Sequence, residues 1–201
     1  VAKIKHTKTA LKAQRDALRR FERYLPTLLL KKQQLQQELR RLEAQLEEKE
    51  AAEKRVRVEL DAWVKLFAEP FDFVSNVKIV EFQHSVGNIA GVAIPLLREL
   101  RCALVTPDLF ATSPWVDDGL SVLEKLLRLE IEQKFMRAQR RLLAEELRVT
   151  SQRVNLFEKV KIPEAKENIR VIRIYLGDQQ TADVARGKLA KGRSAGKEER
   201  A

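Results

Sequence analysis

Cysteine is nearly absent: Cys102 is the only one in 201 residues. A single thiol excludes an internal disulfide framework and fits a reducing compartment. No histidine shares a plausible face with it, so it reads as a structural thiol rather than a nucleophile. The two histidines, His6 and His84, lie in unrelated segments. Neither has partners at metal-ligand spacing, so both read as ordinary surface or loop residues, and no metal or other cofactor is expected. Aromatics make up 6% of the chain, with 7 Gly and 6 Pro. A compact α/β enzyme needs more turns and a thicker apolar core. The longest uncharged run, 82–97, is broken by Gln83, His84, Gly87, Asn88 and Gly91. It falls short of the ~20 apolar residues of a membrane span. The first ten residues are basic but lack the apolar core of a secretory signal. These absences set the expectation of a cytoplasmic chain with no membrane-inserted segment. A phosphate loop is excluded too. The near-miss Gly187-Lys188 has Ala182 and Leu189 where Gly and Ser/Thr are needed, and no strand precedes it.

Charge, by contrast, is abundant. Charged residues are 34% of the chain, with 39 Lys/Arg against 29 Asp/Glu, a net charge of +10. Such a balance fits nucleic acid, an anionic membrane surface or an acidic protein. The excess reads as spread along the chain, which favours none of the three. The pairs Arg40-Arg41 and Arg140-Arg141 alternate with glutamates and have no aromatic ladder between them, so nucleic acid is not expected as a partner. Carboxylate pairs such as Glu47-Glu48 and Glu145-Glu146 sit in charged runs and read as solvated helix faces.

The dominant pattern is a heptad. Positions 11, 18, 25, 39, 46 and 60 are Leu and 67 is Phe; the offset set 21, 28, 35, 42, 56 and 63 is Phe, Leu, Leu, Leu, Val and Trp. Lys32, Lys49 and Glu53 interrupt it. This stripe drives a helix to pack lengthwise on another in a left-handed supercoil. Sixty such residues would span roughly 90 Å. Pro26 is expected to bend the helix near Glu22. A second stripe runs through Phe135, Leu142, Val149 and Leu156, then continues in a new register through Ile162, Ala165, Ile169, Ile172 and Leu176, with Pro163 and an expected kink at the change. Between the helices, 77–82 and 89–94 read as strands of a hairpin turning at 84–88. Thr106-Pro107-Asp108 and Ser113-Pro114 mark loops or helix starts.

The expected fold is mainly α: a long antiparallel two-helix coiled coil with a small β-hairpin and short-helix insert at one end. Its parts are an N-terminal helix at 1–68, the insert at 69–118, a C-terminal helix at 119–185 and a basic flexible tail at 186–201. The expected coiled-coil core is Leu18, Phe21, Leu28, Leu35, Leu39, Leu42 and Leu46 on the first helix. On the second it is Phe135, Leu142, Val149, Leu156, Ile169 and Ile172.

Three segments together resemble the D subunit of V/A-type ATPases. Asn88-Ile89-Ala90-Gly91-Val92-Ala93-Ile94-Pro95, preceded by Val77-Lys78-Ile79, is similar to the family's hairpin. Arg153-Val154-Asn155-Leu156-Phe157-Glu158, followed by Ile162-Pro163 and the Ile169, Ile172, Leu176 series, resembles its C-terminal helix signature. Leu29-Leu30-Lys31-Lys32-Gln33-Gln34-Leu35 is similar to an element of its N-terminal helix. The chain departs from the family pattern at Pro26 and after Leu176.

The resemblance implies a non-catalytic central rotor shaft. Such a shaft stands in the ring of alternating A and B subunits, binds the small F subunit, and sits on the C/d-type socket subunit capping the membrane rotor. Its rotation couples ATP turnover to H+ or Na+ movement. The resemblance marks Arg153, Asn155 and Glu158 as candidate contacts with the ring, against plain helix-surface solvation. It marks the hairpin, with Val77, Ile79, Asn88, Gly91 and Pro95, as a candidate regulatory element whose removal would leave the helices intact. A free-standing cytoplasmic coiled-coil scaffold is the alternative reading. It shares the heptads but gives no reason for the signature segments.

Overall fold

The computed structural model describes residues 5–105 and 112–198. The Thr106-Pro107-Asp108 turn lies outside them. Contacts divide the chain into two compact units, one made of 1–30 with 150–201 and the other of 31–149. Helix α1 (Lys8–Asp61) contributes to both. A 3-10 turn (Val64–Ala68), a single turn α2 (Phe73–Asn76) and a hairpin of β1 (Val77–Ile89) and β2 (Val92–Leu104) follow. Helix α3 (Val116–Leu156), a π-helical turn (Phe157–Lys161) and helix α4 (Ile162–Glu198) complete the order.

The helix ends follow local chemistry. Thr7 Oγ1 accepts the N–H of Ala10 at 3.1 Å, satisfying one of the donors a helix start leaves open. Asp117 and Asp118 in the first turn of α3 face its positive dipole end. Pro26 lies inside α1 without ending it. Its missing N–H removes the bond to the carbonyl of Glu22, and packing along the helix compensates. At Pro163 the chain answers differently. The ring would clash with the carbonyl four residues back, and the π turn at 157–161 widens the backbone immediately before it. That turn is the physical form of the register change expected there.

In the 31–149 unit the two helices run antiparallel. Lys31 pairs with Glu146 at 2.6 Å and Lys49 with Glu132 at 2.7 Å, so partner numbers fall as α1 advances. The hairpin folds back over this pair and closes a three-layer core of Leu35, Leu42, Ile94 and Leu143, edged by Leu39, Ile89, Met136 and Leu147. At the far end Phe67 stacks on Phe73 at 5.1 Å between ring centres and meets Trp115 at 5.1 Å. Glu69 ties this aromatic group together by accepting from Ser113 Oγ (2.8 Å) and Trp115 Nε1 (3.0 Å). Those two donors hold its carboxyl below the usual range, Trp115 contributing most.

In the unit of 1–30 and 150–201 the core is thinner. Val154, Ala165, Ile169 and Ile172 are buried, and Phe21 packs on Phe157 at 5.2 Å. His6 meets Tyr175 at 4.9 Å, again in antiparallel order.

Four expectations are corrected. The hairpin turns at Ala90-Gly91, not at 84–88, and each strand is 13 residues long. Ala90 (φ 50°) and Gly91 (φ 81°) both take left-handed backbone, as a two-residue hairpin loop requires. Gly87 is a strand residue, where a Cβ would press on Leu96. Second, α4 continues through the segment read as a flexible tail, to Glu198. Third, Leu142 and Leu156 are 37% and 44% exposed, whereas Leu143, Thr150 and Val154 are buried. A strict seven-residue count passed beside the true inward face because it skipped the polar Thr150. Fourth, the charge is not spread evenly. Residues 1–30 and 150–201 hold 20 Lys/Arg against 9 Asp/Glu, and residues 31–149 hold 19 against 20.

Candidate functional site

The buried polar groups make a lock between helices. Gln133 is 1% exposed, at a position heptad counting passes over because it is not apolar. Its Nε2 donates to Glu53 Oε2 at 2.7 Å, and its Oε1 accepts from Arg137 at 2.8 Å. Arg137 reaches on to Glu50 at 2.9 Å. Arg57 and Gln133, in that order, hold the Glu53 carboxyl below its ordinary value. Lys49 and Glu53, which interrupt the apolar stripe, therefore stand opposite Glu132 and Gln133. Glu132 Oε2 is buried 2.7 Å from Lys49 Nζ without the alignment of a directed hydrogen bond, so the pair is held by charge. A polar belt inside an apolar seam fixes which residues meet.

The hairpin residues fall into two groups. Asn88, Gly91 and Pro95 gather near the turn. Asn88 Oδ1 accepts the Gly91 N–H at 2.9 Å, and the Pro95 carbonyl accepts from Gln139 Nε2 on α3 at 2.6 Å. Val77 and Ile79 sit at the other end, opposite Leu104 and Cys102. Burial pushes the Cys102 thiol up, which suits an unreactive side chain. Strand β2 is the more buried of the two, with Ile94 in the core; β1 exposes Val80 and Val86, while its Phe82 meets Phe135 of α3 at 5.8 Å. Arg153, Asn155 and Glu158 are all exposed. Residues two apart on a helix project to nearly opposite sides, so Arg153 and Asn155 do not share a face. Glu158 belongs to the π turn.

Among the described residues no group of three or more His, Cys, Asp and Glu is placed to hold a metal ion. No helix there is long and apolar enough to cross a membrane. The polar groups described above serve cohesion between helices. The class is thus a paired-helix protein with a packed hairpin.

Comparison with known proteins supplies the family. The sequence profile of the ATP synthase D subunit matches residues 10–192. The V-type ATP synthase D subunit of Borreliella burgdorferi is 47% identical over 191 residues, covering 95% of each chain. That of Chlamydia muridarum is 36% identical, covering 94% of this chain and 95% of the relative. That of Chlamydia caviae is 34% identical, covering 94% and 93%. The chain belongs to the family of ATP synthase D subunits.

Proposed function

We infer that this chain is the central shaft of a V/A-type rotary ATPase. It transmits torque between the ATP-hydrolysing A/B ring and the membrane rotor that moves H+ or Na+, or runs in reverse for ATP synthesis. The single observation that carries this is family membership across residues 10–192, on a chain whose helices pair antiparallel. The chain itself does no chemistry; ATP turns over on the ring. It works on the cytoplasmic side, peripheral to the membrane. The small F subunit and the C/d-type socket subunit are its further partners.

The interlocked core suits this work. Knobs held in holes resist twist along a helix pair, and the belt around Gln133 opposes slippage. Exposed ion pairs such as Arg148–Glu145 are screened by solvent and contribute little, so single contacts on such a surface yield as it turns.

Arg153 and Glu158 are proposed ring contacts, with Asn155 on the opposite side meeting a different subunit. The outer strand of the hairpin is proposed to modulate turnover. Ile94 is 1% exposed beneath the hairpin, so replacing the hairpin outright would uncover Leu35 and Leu143. Val80→Ser with Val86→Ser tests the outer strand while leaving that core closed.

The test of the function is co-expression with F-like, A and B subunits. The expected result is a complex holding one copy of this chain with one F-like subunit. Self-association through the helical seam, without the F-like partner, contradicts it and favours a scaffold.

A further inference from the structure

We propose that the turn opened by Pro26 and the π turn before Pro163 form a torsional joint, a short stretch where both helices yield to twist while neighbouring turns stay stiff. Its use as a spring between steps rests on the rotor reading above. Two of the six prolines lie inside described helices, Pro26 in α1 and Pro163 in α4, and both belong to the unit of 1–30 and 150–201. Pro26 withholds the N–H that would bond the Glu22 carbonyl. On the other helix the Ile162 N–H bonds the Phe157 carbonyl, five residues back rather than four, and Pro163 withholds the next N–H. Antiparallel pairing sets these two faults against each other. Phe21 packs on Phe157 at 5.2 Å and lines a groove with Lys161, the first and last residues of the π turn. The turn that Pro26 opens begins at the next residue, Glu22.

A helix pair resists twist through its backbone bonds and through its interlocked side chains. Both are weak at this level. The groove beside it, about 220 Å³, is lined by the small Ala17 and Ala165. Leu156 and Val160 are 44% and 48% exposed and add little to the seam. The ion pair from α1 to α4, Glu22–Lys166, is long at 3.7 Å, against 2.6 Å for Lys31–Glu146 and 2.7 Å for Lys49–Glu132 in the other unit. The joint is also pinned. The π turn cannot move toward the C-terminus, because an ordinary α turn would press the Pro163 ring on the Lys159 carbonyl. Moving it the other way would rotate Phe157 off Phe21. A π turn held at both ends flexes in place.

The experiment arrests a surface-held A/B complex containing this chain with a non-hydrolysable ATP analogue. A bead on Val86→Cys, in a Cys102→Ser background, then reads torsional stiffness as its angular spread. Pro26→Ala/Pro163→Ala restores both helical donors and should cut the variance of that spread about twofold. Each single variant should give part of the effect. Pro70→Ala, outside the helices, should keep the wild-type spread. An unchanged spread in the double variant, on a bead that still rotates under ATP, overturns the joint and leaves the rotor reading standing. Equal narrowing by Pro70→Ala overturns the joint as well. A wild-type bead that never rotates overturns the rotor reading and the spring with it. Hydrogen exchange on the full chain tests the joint without the ring. The amides of 157–162 should exchange about tenfold faster than those of 166–176, and equal protection overturns the proposal.

Discussion

The two units use one pair of helices in opposite ways. Residues 31–149 are nearly neutral, carry three layers and close their polar groups on one another. Residues 1–30 and 150–201 hold a thinner core, carry the charge, lose one helical hydrogen bond at Pro26 and depart from α-helix at the π turn. This unit pairs Arg170 and Arg186 only with carboxylates three residues away and keeps a large excess of positive charge, which costs self-repulsion. The difference teaches that in this chain the unit with the thinner core is also the less self-satisfied one.

The contrast can be broken from the core outward. Leu143→Ala removes a side chain 1% exposed at the centre of the three layers. It should cost about 2–5 kcal/mol, read by urea unfolding, and loosen the hairpin in hydrogen exchange. Ile172→Ala, buried in the two-helix core of the other unit, should fall at the lower end of that range because a thin core collapses more easily around the gap. Equal costs would remove the distinction in core thickness. Gly91→Ala puts a Cβ on left-handed backbone at the hairpin turn and should cost about 1–2 kcal/mol.

Electrostatic effects come next in size. The Glu53 carboxyl is lowered in the folded chain, so it binds its proton less readily than when unfolded. Its stabilising contribution is therefore full at neutral pH and is lost as pH falls through the carboxylate range. Gln133→Leu, which deletes one of the donors, should shift acid unfolding to slightly higher pH if the mutant Glu53 titrates nearer its ordinary value. An unchanged acid midpoint would mean the belt contributes nothing through Glu53. The smallest effect is that of salt: hydrogen exchange should slow with added salt at residues 5–30 and 150–198 and change little at 31–105.

Much of the fold was legible because coiled coils write themselves in spacing. Leu35, Leu42 and Leu46 are buried and every other first-helix stripe position is half-buried, since a single unbroken helix keeps its period. The second helix was less readable. The π turn shifts its phase, and Gln133 and Thr150 occupy inward positions that an apolar count cannot see. The hairpin was visible but its turn was not: Gly87 drew attention as a turn residue, while its role is to let Leu96 approach. Of the candidate site, the signature at 153–158 could be named from sequence alone, but not that its members face apart. The facing of the Pro26 turn and the π turn escaped because the two are far apart in the chain and meet only through antiparallel pairing.

The central claim is that this chain turns within the ring. A bead fixed to Val86→Cys, a side chain 75% exposed on the outer strand, in a Cys102→Ser background, reports that motion directly in a surface-held A/B complex supplied with ATP. The account predicts unidirectional stepping in threes per revolution. Steady ATP hydrolysis beneath a bead that does not rotate would contradict it.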